Sequence, residues 1–297
     1  MFKFSGTGVA LVTPFNSDGS IDFKSLKKIV NHVINNGVEY LVALGTTSEV
    51  PVLSESERKE IIATIIQTSS KRVPIVLGMG GNNTNALIKQ IEQSSFDGID
   101  GLLSVVPYYN KPQQQGLYQH FQAIADSSPT PVILYNVPGR TGTNMLAETT
   151  LQLAHDHSNI IAIKEASGNL SQVMEIIANK PKAFEVISGD DALTLPLMAL
   201  GAKGVISVTA NACAKDFTEM VRLMLNNETK AALKLHYKLL PIMETLFADG
   251  SPAGIKALLA MMNLCENKLR LPLVPVNTPV EEKIKTLFNQ LLSRSTL

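Results

Sequence analysis

Lys164 closes an apolar run, Ile160-Ile161-Ala162-Ile163, and is followed at once by Glu165-Ala166-Ser167-Gly168. If the run is a strand, period-2 alternation puts Lys164 on the side of Ile160 and Ala162. An amine driven into an apolar, closed space is held toward its neutral form, and a neutral amine adds to a carbonyl to give a Schiff base. A lysine that caps a strand and reaches back to solvent explains the same pattern. Tyr135 ends another apolar run, and its phenol can stand one inter-strand spacing from Lys164, about 5 Å. Carbinolamine chemistry needs protons moved on and off, which a phenol can do; a core tyrosine with a satisfied hydroxyl is the plainer alternative. Thr46 and Thr47 can pass protons or bind a carboxylate. Arg140 follows Pro138-Gly139, read as a tight turn with Gly139 at positive φ. Such a turn lifts a guanidinium to where it can clamp a carboxylate, although a plain surface arginine fits equally. Gly189 offers close backbone approach, or simply starts the helix that Asp190 or Asp191 caps.

These residues need a scaffold that brings strand ends together. Eight short apolar runs recur, at residues 8–13, 40–44, 74–77, 101–106, 131–135, 160–164, 184–188 and 204–208. Near-continuous apolar strands of this kind are buried on both faces, as parallel strands are. Amphipathic helical patterns lie between them. Leu26, Ile29, Val30 and Val33 form one stripe, Leu87, Ile88 and Ile91 another. Ser54-Glu55-Ser56-Glu57 is a capping box opening a helix that carries Ile61, Ile62, Ile65 and Ile66. Strand–helix alternation repeated eight times predicts an α/β fold, a (β/α)8 TIM barrel, over residues 1–226. A doubly wound open sheet is the rival, but no Gly-x-Gly-x-x-Gly follows any run. Residues 227–297 read as a C-terminal helical extension, with helical patterns at 228–247, 252–262 and 280–292 and a short strand signal at 271–274. In such a barrel the active site lies at the C-terminal strand ends, where Lys164, Tyr135, Thr46 and Thr47 all fall.

Composition removes other classes. The 297 residues carry 26 basic and 26 acidic side chains, a balance that argues against a nucleic-acid partner. Any binding of small anions must then depend on a local centre, Lys164 and Arg140, and not on global charge. The two cysteines, Cys213 and Cys265, support neither a disulfide framework nor a thiolate metal site and suit a reducing compartment. Of the five histidines, His32, His120, His155 and His157 fall in helical patterns or their trailing loops, and none, His236 included, stands at a strand end, so no metal is expected. With no signal-peptide pattern and no long apolar stretch, the expectation is a cytoplasmic protein without a membrane partner.

Tyr135-Asn136-Val137-Pro138-Gly139-Arg140-Thr141 and Lys164-Glu165-Ala166-Ser167-Gly168 resemble signatures of the dihydrodipicolinate synthase / N-acetylneuraminate lyase family of Schiff-base barrels. Pro107-Tyr108-Tyr109-Asn110-Lys111-Pro112 and Gly204-Val205-Ile206-Ser207-Val208 match too, and the resemblance runs from Gly8 to Leu273. It implies a metal-independent lyase with no cofactor beyond a covalent pyruvyl Schiff base on Lys164. The partners it implies are pyruvate and L-aspartate 4-semialdehyde, condensed on the diaminopimelate route to lysine. Tyr135 would donate and accept protons. Thr47 would join the relay and hold the pyruvate carboxylate, with Thr46 beside it. Tyr109 would complete the relay across a dimer interface, in a homo-oligomer built as a dimer of dimers. Arg140 would bind the semialdehyde carboxylate; Gly189 and Ile206 would line the pyruvate pocket. The alternative within the family is another pyruvate-dependent aldolase, an N-acetylneuraminate or keto-deoxy sugar acid lyase; Thr46-Thr47 and Arg140 favour the synthase branch. Outside the aldolases stands a catalytically dead barrel kept for binding, which the intact Lys164, Tyr135, Thr47 and Arg140 disfavour.

Two departures stand out. Ser48 replaces the usual glycine of Gly-Thr-Thr-Gly-Glu, and Gly250-Ser251-Pro252-Ala253-Gly254 replaces the usual Asn-Pro-x-Pro. Lysine-sensitive members use a polar cleft near Tyr108. Asn82 is retained there, but Ala86 stands in the place of a glutamate, and Glu55 and Arg58 in the places of histidines. The loss of that anion implies weak or absent lysine inhibition.

Overall fold

The computed structural model describes residues 2–293. Its strands are β1 (Gly6–Ala10), β2 (Tyr40–Ala43), β3 (Ile75–Gly78), β4 (Gly101–Val105), β5 (Val132–Asn136), β6 (Ile160–Glu165), β7 (Glu185–Ser188) and β8 (Gly204–Ser207). They follow one another in chain order around a closed barrel with helices between them, the (β/α)8 architecture that the alternation predicts. The helices are α1 (Phe23–Asn35), α2 (Glu55–Ser69), α3 (Thr84–Glu92), α4 (Gln114–Ser127), α5 (Pro138–Thr141) and α6 (Ala147–Asp156). They continue with α7 (Leu170–Asn179), α8 (Thr194–Leu200), α9 (Ala214–Leu225), α10 (Thr229–Thr245), α11 (Ala253–Met261) and α12 (Thr278–Ser293). Two compact units divide the chain. One is Pro74–Ile206 with the N-terminal residues to Ser5; the other is Gly6–Val73 with the chain from Ser207 onward.

In the first unit β3 to β7 pair in parallel, with Tyr135 opposite Lys164 and Lys164 opposite Ile187. The register shifts between Val132 and Ile133, whose partners are Ile160 and Ala162. Counting by twos from Lys164 therefore stops at Ala162, and Ile160 lies beyond the irregularity. The helices cover the sheet by their apolar stripes: α4 buries Leu117, His120, Phe121, Ile124 and Ala125 at helical spacing. Burial holds the His120 imidazole down at about 4 instead of the ordinary 6.5; its Nδ1 meets the Thr84 hydroxyl at 2.9 Å and its Nε2 has no partner. A depressed folded-state value gives stability that is complete above 6.5 and lost as the pH falls toward 4. The difference amounts to about 3 kcal/mol. We expect the Tm to fall across that interval in a pH series, and His120→Gln to flatten the fall; an equally steep fall in the variant would assign the loss elsewhere.

In the second unit the capping box forms as read: the Glu57 amide donates to Ser54 Oγ and the Ser54 amide donates to Glu57 Oε2, at 3.2 and 2.8 Å. α1 buries Leu26, Ile29, Val30 and Val33, and Asp22 caps it by accepting from the Ser25 amide. Gly8 is demanded by packing, because a Cβ there would sit 2.2 Å from the Tyr40 ring. β1 ends at Ala10, short of the apolar run read to Thr13. The Leu11 amide still donates to Val42 O of β2 at 3.1 Å, and the Asn211 side chain donates to Ala10 O and accepts from the Val12 amide. The strand signal at 271–274 is not a strand. Pro272 has no amide to donate, and the Leu273 amide closes a turn onto Arg270 O at 3.0 Å.

Candidate active site

The Lys164 and Tyr135 side chains meet, as their strand ends predict. Both are almost fully buried, at 5% and 6% exposure, and Lys164 Nζ stands 4.1 Å from the centre of the Tyr135 ring. No hydrogen bond or ion pair engages this amine among the described residues. Gly189 follows β7, and its amide donates to Glu165 O at 2.8 Å. A Cβ at Gly189 would stand 2.7 Å from Ala166 Cβ and 3.0 Å from Lys164 Cε, so the glycine leaves room for the lysine stem. The other reading of this loop does not hold: Asp190 Oδ1 accepts from the Leu193 amide in the turn ahead of α8, but the N-cap of that helix is Leu193, with no side-chain cap, so neither Asp190 nor Asp191 is its cap residue. Ile206 lies buried on β8.

A carboxylate lies immediately behind the lysine. Alternation turns Glu165 to the opposite face of β6, where it is buried and surrounded by donors. Gln172 Nε2 donates to it at 2.9 Å, the Ser167 amide at 2.9 Å, and Asn136 Nδ2 at 3.1 and 3.2 Å. Burial pushes the Glu165 carboxyl up, while these hydrogen bonds pull the other way. Asn136 and Glu165 are partners in register, one step beyond Tyr135 and Lys164, so the network ties together the ends of the two strands that carry the reactive pair. The only sequence signal for it is a polar residue directly after each of those two.

Pro138-Gly139 does not form the expected turn. Pro138 starts the four-residue helix α5, and positive φ falls at Gly142 (φ 72), whose amide donates to Pro138 O at 2.9 Å. Proline at the first helical position has its φ already set, and the left-handed glycine closes the helix. Arg140 therefore rides on α5, exposed, with no ion pair among the described residues. Tyr109 is 88% exposed and left-handed (φ 73), its amide donating to Thr141 O. Beside it Asn82 Nδ2 donates to Tyr108 O and Asn110 Nδ2 to Asn82 O.

Thr46 and Thr47 belong to the second unit, on a 3-10 turn (Thr46–Ser48) directly after β2; Thr47 is buried and Thr46 exposed. Ser48, the departure from glycine, finds partners on both sides: its Oγ donates to Leu11 O at 2.7 Å and its carbonyl accepts from Thr13 Oγ1 at 2.8 Å. Gly254, in the second departure, lies so close to Leu246 O that a Cβ would stand 2.2 Å away. Sequence reasoning also missed a buried ion pair in this unit, between Glu49 and Lys256. The histidines lie on α1, α4, α6, its C-cap and α10, and no group of three metal-binding side chains occurs among the described residues. No described helix is long and apolar enough to cross a membrane.

The model of the dihydrodipicolinate synthetase family matches residues 3–291. A 4-hydroxy-tetrahydrodipicolinate synthase of Parabacteroides distasonis is 53% identical over 289 residues, 97% of each chain. Among solved structures, dihydrodipicolinate synthase from Thermotoga maritima superposes with a TM-score of 0.95 at 37% identity, covering 97% of this chain and 99% of that one. The chloride-inhibited dihydrodipicolinate synthase from Acinetobacter baumannii, complexed with pyruvate, gives 0.94 at 39% identity, with coverage of 97% and 99%. A match over nearly the whole length, on a barrel that buries the signature lysine against the signature tyrosine, leaves one conclusion: this chain belongs to the dihydrodipicolinate synthetase family.

Proposed function

We propose that this chain condenses pyruvate with L-aspartate 4-semialdehyde to 4-hydroxy-tetrahydrodipicolinate, in lysine and diaminopimelate biosynthesis, through a Schiff base on Lys164. The observation that carries the reading is the Lys164 amine itself, buried against the Tyr135 ring with no hydrogen-bond or ion-pair partner among the described residues. Residues 1–226 are read as the catalytic barrel and 227–297 as its helical extension. The amine adds to the pyruvate ketone, and loss of water from the carbinolamine leaves an imine. Removal of a methyl proton gives the enamine, whose carbon attacks the semialdehyde aldehyde. The amino group of the semialdehyde then displaces Lys164 from the imine carbon, which closes the ring and frees the enzyme.

Tyr135 carries protons to and from the carbinolamine, and Thr47 serves the relay and the pyruvate carboxylate, with Thr46 beside it. Gly189 and Ile206 line the pyruvate pocket. Tyr109 completes the relay of a neighbouring subunit; the exposure of this large aromatic in a left-handed conformation supports that reading. A homodimer is then the minimal active unit, assembled further as a dimer of dimers. No metal or separate cofactor enters, and the two cysteines, neither in a disulfide, fit work in the cytoplasm.

Arg140 receives the carboxylate of the semialdehyde, which its exposure on α5 and lack of an ion pair support. Turnover of pyruvate with the semialdehyde should far exceed cleavage of neuraminate or keto-deoxy sugar acids; the reverse preference would reject the assignment. Arg140→Ala should raise the KM for the semialdehyde about 10- to 100-fold, the cost of one charge-assisted clamp, and leave that for pyruvate unchanged.

A further inference from the structure

Thr46 and Thr47 sit in a segment whose backbone is under strain. Two 3-10 turns, Thr46–Ser48 and Val50–Val52, join at Glu49, which is left-handed (φ 57), and Leu44 just before them is left-handed as well (φ 53). Residues other than glycine adopt this conformation only where their surroundings impose it. Here the imposing groups come from the far end of the chain. The Glu49 side chain is fully buried and ion-paired with Lys256 Nζ of α11, itself fully buried. Glu49 Oε2 also accepts from the Arg270 backbone amide at 3.2 Å. Lys256 is held in turn by Lys268 O at 2.8 Å and by the face of the Phe15 ring, 4.2 Å from its centre. The Arg270 guanidinium packs on the same ring and donates to Val52 O at 2.9 Å, at the end of the second turn. Glu49 and Val52, at the junction and the end of the two turns, are thus held by Lys256 and Arg270, which both follow residue 250.

A fully buried charge pair is a poor way to gain stability, because an apolar pair of similar volume commonly serves as well or better. Burial pulls the Lys256 amine below the ordinary lysine range although Glu49 opposes the shift. What such a pair supplies that an apolar one does not is a fixed direction for each partner. We propose that Lys256 is a positioning residue for the reaction: its ion pair with Glu49 locks the strained turn that carries Thr46 and Thr47, so the C-terminal helices set the geometry of the proton relay. This inference rests on the relay role given to Thr47 above.

The test compares the full-length enzyme with Lys256→Met/Glu49→Leu, which removes both charges together, and with Glu49→Gln, which keeps shape should the double variant fold poorly. Thr47→Val is made in each background. Hydrogen exchange of residues 44–53 is read beside kcat. The turn should lose protection while the strands keep theirs, and kcat should fall about 10- to 100-fold at matched folded fraction. Thr47→Val should then cost little more, because a relay already out of place cannot be lost twice. Unchanged protection of the turn, or a Thr47→Val cost as large as in the parent enzyme, would overturn the proposal. A Thr47→Val without effect in the parent enzyme would instead remove the Thr47 relay, and loop exchange would still decide whether Lys256 holds the turn.

Discussion

Lys164→Met should lower kcat by about four orders of magnitude or more, because it removes the atom that becomes covalently bonded to substrate. The substitution is chosen to keep the rest of the site. Methionine fills nearly the same volume as the lysine stem, between Tyr135 and Ile187 on the flanking strands and against Gly189. It also removes a buried amine that no hydrogen bond or ion pair satisfies among the described residues, so the fold should be no less stable and the Tm should hold or rise. Loss of turnover with an unchanged Tm separates chemistry from folding. Residual kcat within tenfold of the parent enzyme would mean that the carbonyl is activated by some group other than Lys164.

Tyr135→Phe should cost about 10²- to 10⁴-fold in kcat, the range expected when a positioned acid–base group is lost. The ring is retained, so the face under Lys164 Nζ and the packing at the end of β5 should persist. Both halves of the reaction need proton movement, imine formation on the way in and transimination on the way out. The variant should therefore trap pyruvate slowly and also turn over slowly, with little change in the KM for the semialdehyde. If kcat stays within threefold, Tyr135 is a packing residue and another group moves the protons.

The reactive pair was legible in the sequence because its geometry is local to the strands. Lys164 and Tyr135 each end an apolar run, and a parallel sheet in chain order makes those ends neighbours. Alternation also sends Glu165 to the opposite face, but nothing in spacing tells that Asn136 and Gln172, 29 and 7 residues away, converge on it. The Glu49–Lys256 pair is less legible still, since 207 residues separate its members and only tertiary packing buries both. At Pro138-Gly139 the residue types fit a turn, yet Pro138 also fits the first position of a helix, and the positive φ moves three residues on to Gly142. At 271–274 an apolar composition resembled a strand, but a proline without an amide and a turn bond to Arg270 O decide otherwise.

The most direct measurement is reductive trapping: incubate the enzyme with pyruvate, add borohydride, digest, and locate the adduct by mass spectrometry. One reduced pyruvyl group per chain, on Lys164 and absent from Lys164→Met, is the predicted result. An intact protein without an adduct, or an adduct on a different lysine such as Lys256, would contradict the account.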